Sequence, residues 1–290
     1  MNTIWSTYVQ GIGTLYNTRL LRFSDLFEGK YREAFRIDDK KKILEIGCGP
    51  GALAESLARW YPSAQVFGVD RDSNFIAFAK QQNPLIQYVE GDAAALEFEN
   101  ESVDVTISNT VAEHIEPSKF YGEQYRVLKE HGVCLVLSAR RGINITAPCI
   151  SEQSEFEKEL WKRAEKQLAE VDKKFSVCAY PQNEAELPLC MEQYGFRNVT
   201  TEYLTINLTP DNPVYTKETA HAMINANRQV SLEGADELLR IATDVITADE
   251  VEELKRIINS KYDKRIELYN KGFKQWDANV SVTMVVRGEK

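Results

Sequence analysis

Between residues 43 and 140, short apolar runs alternate with stretches of helical spacing, and this alternation narrows the possible folds more than any other feature. "KILEI" reads as a first strand and "GALAESLARWY", which stops before Pro62, as the helix after it. "QVFGVD" is a second strand, and "DSNFIAFAKQQ" a helix with Asp72 as acidic N-cap. "IQYVEGD" and "VDVTISN" are a third and a fourth strand. "PSKFYGEQYRVLKEHG" predicts a helix entered through Pro117 and closed by Gly132, followed by a fifth strand, "VCLVLSA". Strands separated by helices of this length make parallel βαβ units, with right-handed crossovers and helices on both faces.

Beyond residue 145 the character changes. Residues 151–173 form a charged amphipathic helix, and "EAELPLCMEQYGF" a short one ending at Gly195 before the strand "NVTTEYLTINL". "TKETAHAMINANRQV", "GADELLRIATDV" and "ADEVEELKRIINSKYDKRIELYNKG" read as three further helices, and "NVSVTMVVRG" as a closing strand. The expected organisation is an N-terminal helical segment (1–42), an α/β core (43–146) and a remainder (147–290). That remainder completes the sheet with strands near 198–208 and 279–287 and adds helical insertions at 147–195 and 210–275.

Composition sets outer limits. The chain has 290 residues, 43% hydrophobic and 27% charged, enough to bury a sizeable core. No run approaches the roughly 18 apolar residues of a membrane span. "MNTIWSTYVQGIG" lacks the basic start and apolar stretch of a secretory signal. Five scattered cysteines, Cys48, Cys134, Cys149, Cys178 and Cys190, form no C-x-x-C and suit a reducing cytoplasm. The three histidines are far apart, so no metal site is expected. A formal net charge of −9 argues against a nucleic-acid partner, and "DDKKK" at 38–42 reads as a solvated approach to the first strand.

In an open parallel sheet a ligand sits at the carboxyl ends of the strands, where strand order reverses. Here the first strand runs into Gly47, Gly49 and Gly51, where bare backbone turns tightly and lets a ligand come close. A dinucleotide site would read G-x-G-x-x-G and set a helix N-terminus against a pyrophosphate. This turn reads G-C-G-P-G, with Ala52 in the third position of that fingerprint, and Pro50 withholds an N–H that a phosphate would use.

"LEIGCGPG" resembles the first motif of the class I S-adenosylmethionine-dependent methyltransferases. "VFGVDRD", "YVEGDAAAL", "VDVTISNTVAEHI" and "VLKEHGVCLVLSAR" resemble the family's later strand motifs in the same order, over about residues 43–140. The resemblance implies a doubly wound, Rossmann-like, seven-stranded and mostly parallel sheet, with the helical insertions as a lid. It also implies S-adenosyl-L-methionine as cofactor, which has no phosphate. It implies that Asp70, with Arg71 beside it, meets the ribose hydroxyls. Asp92 and the Ala93 N–H would meet the adenine. Glu45 would help anchor the methionine end, with Gly47, Gly49 and Gly51 beneath it, and Asn109 and Thr110 would lie under the methyl group. Local alternatives stay open: a strand-end cap for Asp70, turn residues for Asp92 and Asn109, and a buried polar network for Glu45.

Such a resemblance implies in-line methyl transfer to a small or medium-sized acceptor, with the protein aligning two reactants and excluding water. His114, in the loop after the fourth strand, is the candidate general base, the other reading being a packing histidine. His131 and His221 read as structural. The segment "YVQGIGTLYNTRLLRF" would fold over the cofactor, with Gly11 and Gly13 as hinges and Tyr8, Tyr16, Arg19 or Arg22 as contacts. Otherwise it would pack as an amphipathic helix through Leu15, Leu21 and Phe23. Two other functions stay open: a non-catalytic module that binds S-adenosylmethionine or S-adenosylhomocysteine, and an NAD-dependent oxidoreductase. The acceptor and the oligomeric state are not read from the sequence.

Overall fold

The computed structural model describes residues 4–140 and 144–290. The chain opens with helices α1 (Ile4–Tyr8), α2 (Ile12–Arg22) and α3 (Glu28–Phe35), the last preceded by a 3-10 turn at Asp25–Phe27. The alternating section runs β1 (Lys42–Ile46), α4 (Ala52–Trp60), β2 (Gln65–Asp70), α5 (Ser73–Gln82), β3 (Gln87–Glu90), β4 (Val103–Asn109), α6 (Pro117–Val127) and β5 (Leu128–Ala139). Then come β6 (Ile145–Thr146), α7 (Glu155–Lys174), α8 (Glu186–Gln193), β7 (Arg197–Leu208), α9 (Lys217–Ile241), α10 (Ala248–Asn270) and β8 (Asn279–Glu289).

The sheet is mixed. Strands β1 to β5 are parallel in the order β3-β2-β1-β4-β5; β8 runs antiparallel beside β5, and β7 antiparallel beside β8. These are the expected seven strands, and the two-residue β6 on the start of β8 makes an eighth. Period-two alternation divides each central strand between two cores. Ile43, Val105, Ile107, Val133, Leu135 and Leu137 face one core with Leu53, Leu57, Trp60, Tyr31 and Phe35 of α3 and α4. Leu44, Ile46, Cys134 and Val136 face the other, with Phe120, Tyr121 and Val127 of α6 and Met191 of α8. A third cluster, including Leu160, Ile224, Leu238, Leu254 and Ile258, joins α7, α9 and α10 into a helical layer of their own.

Two elements depart from the local reading. The helix entered through Pro117 stops at Val127 rather than at Gly132. The carbonyls of Arg126 and Val127 accept N–H bonds from Glu101 and Ser102, and Leu128 pairs with Val103, so the chain leaves the helix for the sheet. The register then shifts before Val133 meets Val105, with His131 at φ +63 in between. The stretch read as two helices before residue 246 is one 25-residue helix, α9. Gly234 does not break it. A Cβ there would stand 3.0 Å from the Trp161 ring, so this glycine lets α7 lie close against α9.

The far end of the sheet is tied by Arg265, fully buried, whose Nη2 bonds Asp211 at 2.9 Å and Asp277 at 2.5 Å. Asp211 also accepts the N–H groups of Gln275 and Trp276, so one carboxylate joins the chain after β7 to the approach to β8. Removing one partner of a buried ion pair leaves the other charge uncompensated. Asp211→Ala is therefore expected to lower unfolding free energy by about 3 kcal/mol, read from the urea midpoint at unchanged slope. A loss under about 1 kcal/mol would mean that Asp277 alone satisfies the guanidinium.

Candidate functional site

Strand order reverses between β1 and β4, which pair in register up to Ile46 opposite Ser108. The two chain segments leaving these strands, Gly47–Gly51 and Asn109–Val111, therefore lie side by side at the carboxyl edge. Both carry unusual backbone. Gly47, Gly49 and Gly51 have φ of +67°, +52° and +93°. A Cβ on Gly47 would meet Val111 at 2.4 Å, and one on Gly51 would meet the Tyr88 hydroxyl at 2.5 Å. Thr110 adopts φ +55°, a costly conformation for a β-branched residue and one that concentrates at functional sites.

The N–H groups of the glycine turn are already spoken for. Those of Gly47 and Cys48 donate to the Val69 carbonyl, that of Gly49 to Asp70 Oδ2 at 2.9 Å, and that of Gly51 to the Cys48 carbonyl. Pro50 has none. The turn thus makes a bare surface with no donor row aimed outward, unlike a phosphate cradle.

Carboxyl groups surround this surface. Asp70, at the end of β2, accepts from Gly49 through one oxygen and from the Asp72 N–H through the other at 2.8 Å, leaving each oxygen a free lone pair. Burial pushes its pKa up against those two bonds. Glu45 lies on the face of β1 that also carries Ile43. It is 2% exposed, and its Oε2 has no hydrogen-bond partner among the described residues. Burial, with Asp70 adding to it, holds this carboxyl well above the usual range, so the neutral acid is favoured. Asp92 is exposed in a turn after β3, where its carboxylate takes the Ala94 N–H at 2.8 Å; Ala93 is half-buried against the second core. Asn109 ends β4, and its carbonyl accepts the Thr110 hydroxyl. Arg71 is exposed, its guanidinium 5.3 Å from the Trp5 ring.

The N-terminal helices cover this edge. Leu15 of α2 sits over Gly49, at 3.0 Å from where a Cβ would be. Arg19 donates to Thr110 Oγ1 at 3.1 Å, and Tyr16 donates to Glu55 at 3.1 Å; its hydroxyl is pushed up to about 12 by burial and then by Glu55. Ser6 bonds Asp72 through both its N–H and its hydroxyl. Gly11 and Gly13 serve close approach: a Cβ on either would run into Glu233 of α9, which accepts the Thr14 N–H at the start of α2. His114 lies in a 3-10 turn after β4. Its ring is 4.7 Å from Trp5, and its Nδ1 accepts the Cys178 N–H at 2.9 Å. With that lone pair in use, the neutral ring carries its proton on Nε2, the tautomer following from the bond. Tyr8 stacks on Phe175 at 5.4 Å, so the chain after α7 joins the cover. His131 is exposed, and His221 bonds Asn270, both away from this edge. Among the described residues no cluster of three His, Cys, Asp or Glu side chains could hold a metal ion.

The structure thus gathers Glu45, the three glycines, Asp70 and Asn109 at one edge, with Arg71 and His114 at its margin under Trp5. Asp92 and Ala93 lie farther along, after β3. Leu15, Trp5, Val111 and Tyr88 are neighbours that local pattern did not mark as part of this edge. Only docking between distant segments puts them there.

Residues 44–136 match the family model described as "Methyltransferase domain". The chain is 35% identical over 104 residues to a fatty-acid O-methyltransferase of Mycolicibacterium smegmatis, covering 34% of this chain and 38% of that protein. It is 37% identical over 108 residues to a ubiquinone biosynthesis O-methyltransferase of Bartonella tribocorum, covering 36% and 43%. The match therefore spans about two fifths of these curated relatives. In fold the chain is similar to the solved Haemonchus contortus phosphoethanolamine N-methyltransferase 2 in complex with S-adenosyl-L-methionine. The TM-score is 0.52 at 19% identity, over 100% of this chain and 60% of that one.

The raised pKa of Glu45 has a definite sign. The fold favours the neutral acid, so this contribution is complete below the unfolded pKa and is lost as pH rises through the folded value. Glu45→Gln removes that loss. Its melting temperature, relative to the unaltered protein, is expected to improve as pH rises above the ordinary glutamate value of about 4.3. A difference constant with pH would mean that Glu45 is not held neutral.

Proposed function

On the premise that the chain carries a class I S-adenosylmethionine-dependent methyltransferase domain, we propose that the carboxyl edge of β1, β2 and β4 binds S-adenosyl-L-methionine and that the protein methylates a small or medium-sized acceptor. The observation that carries this reading is the glycine turn: its N–H groups are consumed internally, and free carboxylate lone pairs stand beside it. A pyrophosphate would find the turn's own N–H groups engaged and would face acids, which counts against NAD. A ligand with ribose hydroxyls, an adenine and a positive sulfur suits the same residues. Asp70 would hold the ribose, Asp92 and Ala93 the adenine, and Glu45 with Gly47–Gly51 the methionine end. Asn109 and Thr110 would floor the transfer position.

When bound, the cofactor supplies a methyl group already activated on sulfur. The chain's own work is to orient two reactants and keep water out. Leu15, Trp5 and Val111 supply apolar cover, and the strained Thr110 fixes the end of β4. His114 becomes available as a base only when the Cys178 N–H leaves Nδ1, so deprotonation by His114 requires the segment after α7 to move. That engagement is also the observation that favours a second reading, a binding module without turnover. A cytoplasmic setting fits five cysteines that are all free thiols. No helix among the described residues is long and apolar enough to cross a membrane.

Asp70→Asn keeps the size of the side chain but withdraws the charge. Charge-assisted hydrogen bonds are worth about 1.5–3 kcal/mol, so affinity for S-adenosylhomocysteine, measured by calorimetry, is expected to fall about 10- to 100-fold. Unchanged affinity would remove Asp70 from the site. Incubation with S-adenosylmethionine and a panel of small carboxylic acids, phenols and amines is expected to release S-adenosylhomocysteine. Binding without release over the whole panel would favour the module.

A further inference from the structure

Five of the large apolar side chains that the fold leaves exposed belong to segments that meet at the start of β8. They are Ile145, Ile150, Val214, Phe273 and Trp276, with Phe273 62% and Trp276 53% exposed. β6 pairs with β8 there, Ile145 opposite Val280, and the Ala147 N–H donates to the Ala278 carbonyl. Asp211 accepts the N–H groups of Gln275 and Trp276, and Val214 follows Asp211 in a turn held by the Asn212 side chain. Single exposed apolar residues are ordinary, but a group of them marks a contact surface. Trp276 is also held at a cost. Its φ of +54° is an outlier for a bulky residue, and such strain persists only where the surroundings impose it. The two N–H bonds impose it here, on a carboxylate that the buried Arg265 anchors in turn.

The charge of this end runs against that of the whole chain. Residues 145–150, 212–216 and 270–276 contain no acid, and their only charges are Lys271 and Lys274, in a protein of formal net charge −9. Lys274 is exposed, with its Nζ 4.9 Å from the Trp276 ring. Lys271 shares Glu267 with Lys264, so that trio keeps one positive charge. Asp211 and Asp277, on either side, are bonded to Arg265. Glu152 and the pair Lys217–Glu218 come next along the chain. The patch is therefore aromatic and aliphatic with a cationic loop through it, Gly272 at φ +80° turning that loop out of α10.

We propose that this end of the molecule docks on an anionic lipid bilayer, with Phe273 and Trp276 entering the headgroup boundary and Lys271 and Lys274 meeting the lipid charges. A tryptophan ring, apolar with one polar edge, suits the boundary between hydrocarbon and water. Each lysine near such a surface adds about fivefold to binding. Reversible attachment takes both signals, an apolar insertion and basic residues, and this loop holds both. The rest of an acidic protein is repelled by the same surface, so the patch would also fix orientation. A second copy fits less well, because a two-fold contact here would set lysines against lysines. The start of β8 lies beside the end of β5, Thr283 opposite Ala139, so the docked face is continuous with the carboxyl edge of the sheet. The inference does not depend on the methyl-transfer reading.

The experiment is co-sedimentation of the full chain with vesicles of phosphatidylcholine alone and of phosphatidylcholine and phosphatidylglycerol in equal parts, at low and at high salt. The unaltered protein is expected to bind the mixed vesicles about tenfold or more better than the neutral ones, and to lose that preference at high salt. Phe273→Ser and Trp276→Ser are each expected to weaken binding about tenfold. The double variant Lys271→Gln, Lys274→Gln is expected to lose the preference for phosphatidylglycerol. All are expected to melt with the parent, because these side chains are exposed. Brominated acyl chains are expected to quench tryptophan fluorescence in the parent and not in Trp276→Phe, the other three tryptophans lying elsewhere in the fold. No binding of the parent to mixed vesicles, or binding that every variant retains, overturns the proposal. Two further results overturn it in favour of another occupant. One is self-association without lipid that Phe273→Ser abolishes, which assigns the face to a second copy. The other is binding of polyglutamate but not of vesicles, which assigns it to an acidic protein.

Discussion

The Asp70 carboxylate holds the glycine turn to the end of the second strand, and the arrangement of the carboxyl edge follows from that bond. One oxygen takes the Gly49 N–H, which keeps the turn folded back on itself; the other takes the Asp72 N–H. Asp72 in turn caps α5 through Asn74 and Phe75 and holds Ser6 of α1 by two bonds. Two acids with one residue between them, Asp70 and Asp72, thus connect the turn, a sheet helix and the N-terminal cover. Because the turn is satisfied from within, its outer surface is plain backbone, suited to close approach by a ligand that asks for no N–H row.

The cover is tied to the rest of the molecule from above as well. Glu233 of α9 caps the start of α2 by accepting the Thr14 N–H, and Gly11 and Gly13 give it the space to do so. The helical layer of α7, α9 and α10 therefore sets where α2 lies, and α2 sets where Leu15 and Arg19 meet the glycine turn and β4. The segment after α7 adds a second tie through Phe175 on Tyr8 and the Cys178 N–H on His114.

What the sequence made legible is what local physics decides. Alternation in "KILEI" places Ile43 and Leu44 in opposite cores, and the acid before Ser73 caps α5 as its position implies. The motif order places Gly47 beside Asn109 because parallel strands in this topology have one switch point. The remainder depends on partners far along the chain. The end of α6 is decided by donors at Glu101 and Ser102, some 25 residues earlier, and the continuity of α9 through Gly234 by Trp161. No local pattern brings Leu15 to Gly49, the Cys178 N–H to His114, or Arg19 to Thr110.

We propose that one edge, floored by the glycine turn and roofed by α2, holds an adenosine-sulfur ligand without phosphate. Hydrogen exchange followed by mass spectrometry, with S-adenosylhomocysteine, with NADH and with neither, tests place and chemistry together. Slower exchange is expected in residues 12–22, 47–54 and 88–95 with S-adenosylhomocysteine, with no change there with NADH. Protection of those segments by NADH alone, or protection by S-adenosylhomocysteine confined to α10 or to the β7–β8 rim, would contradict the proposal.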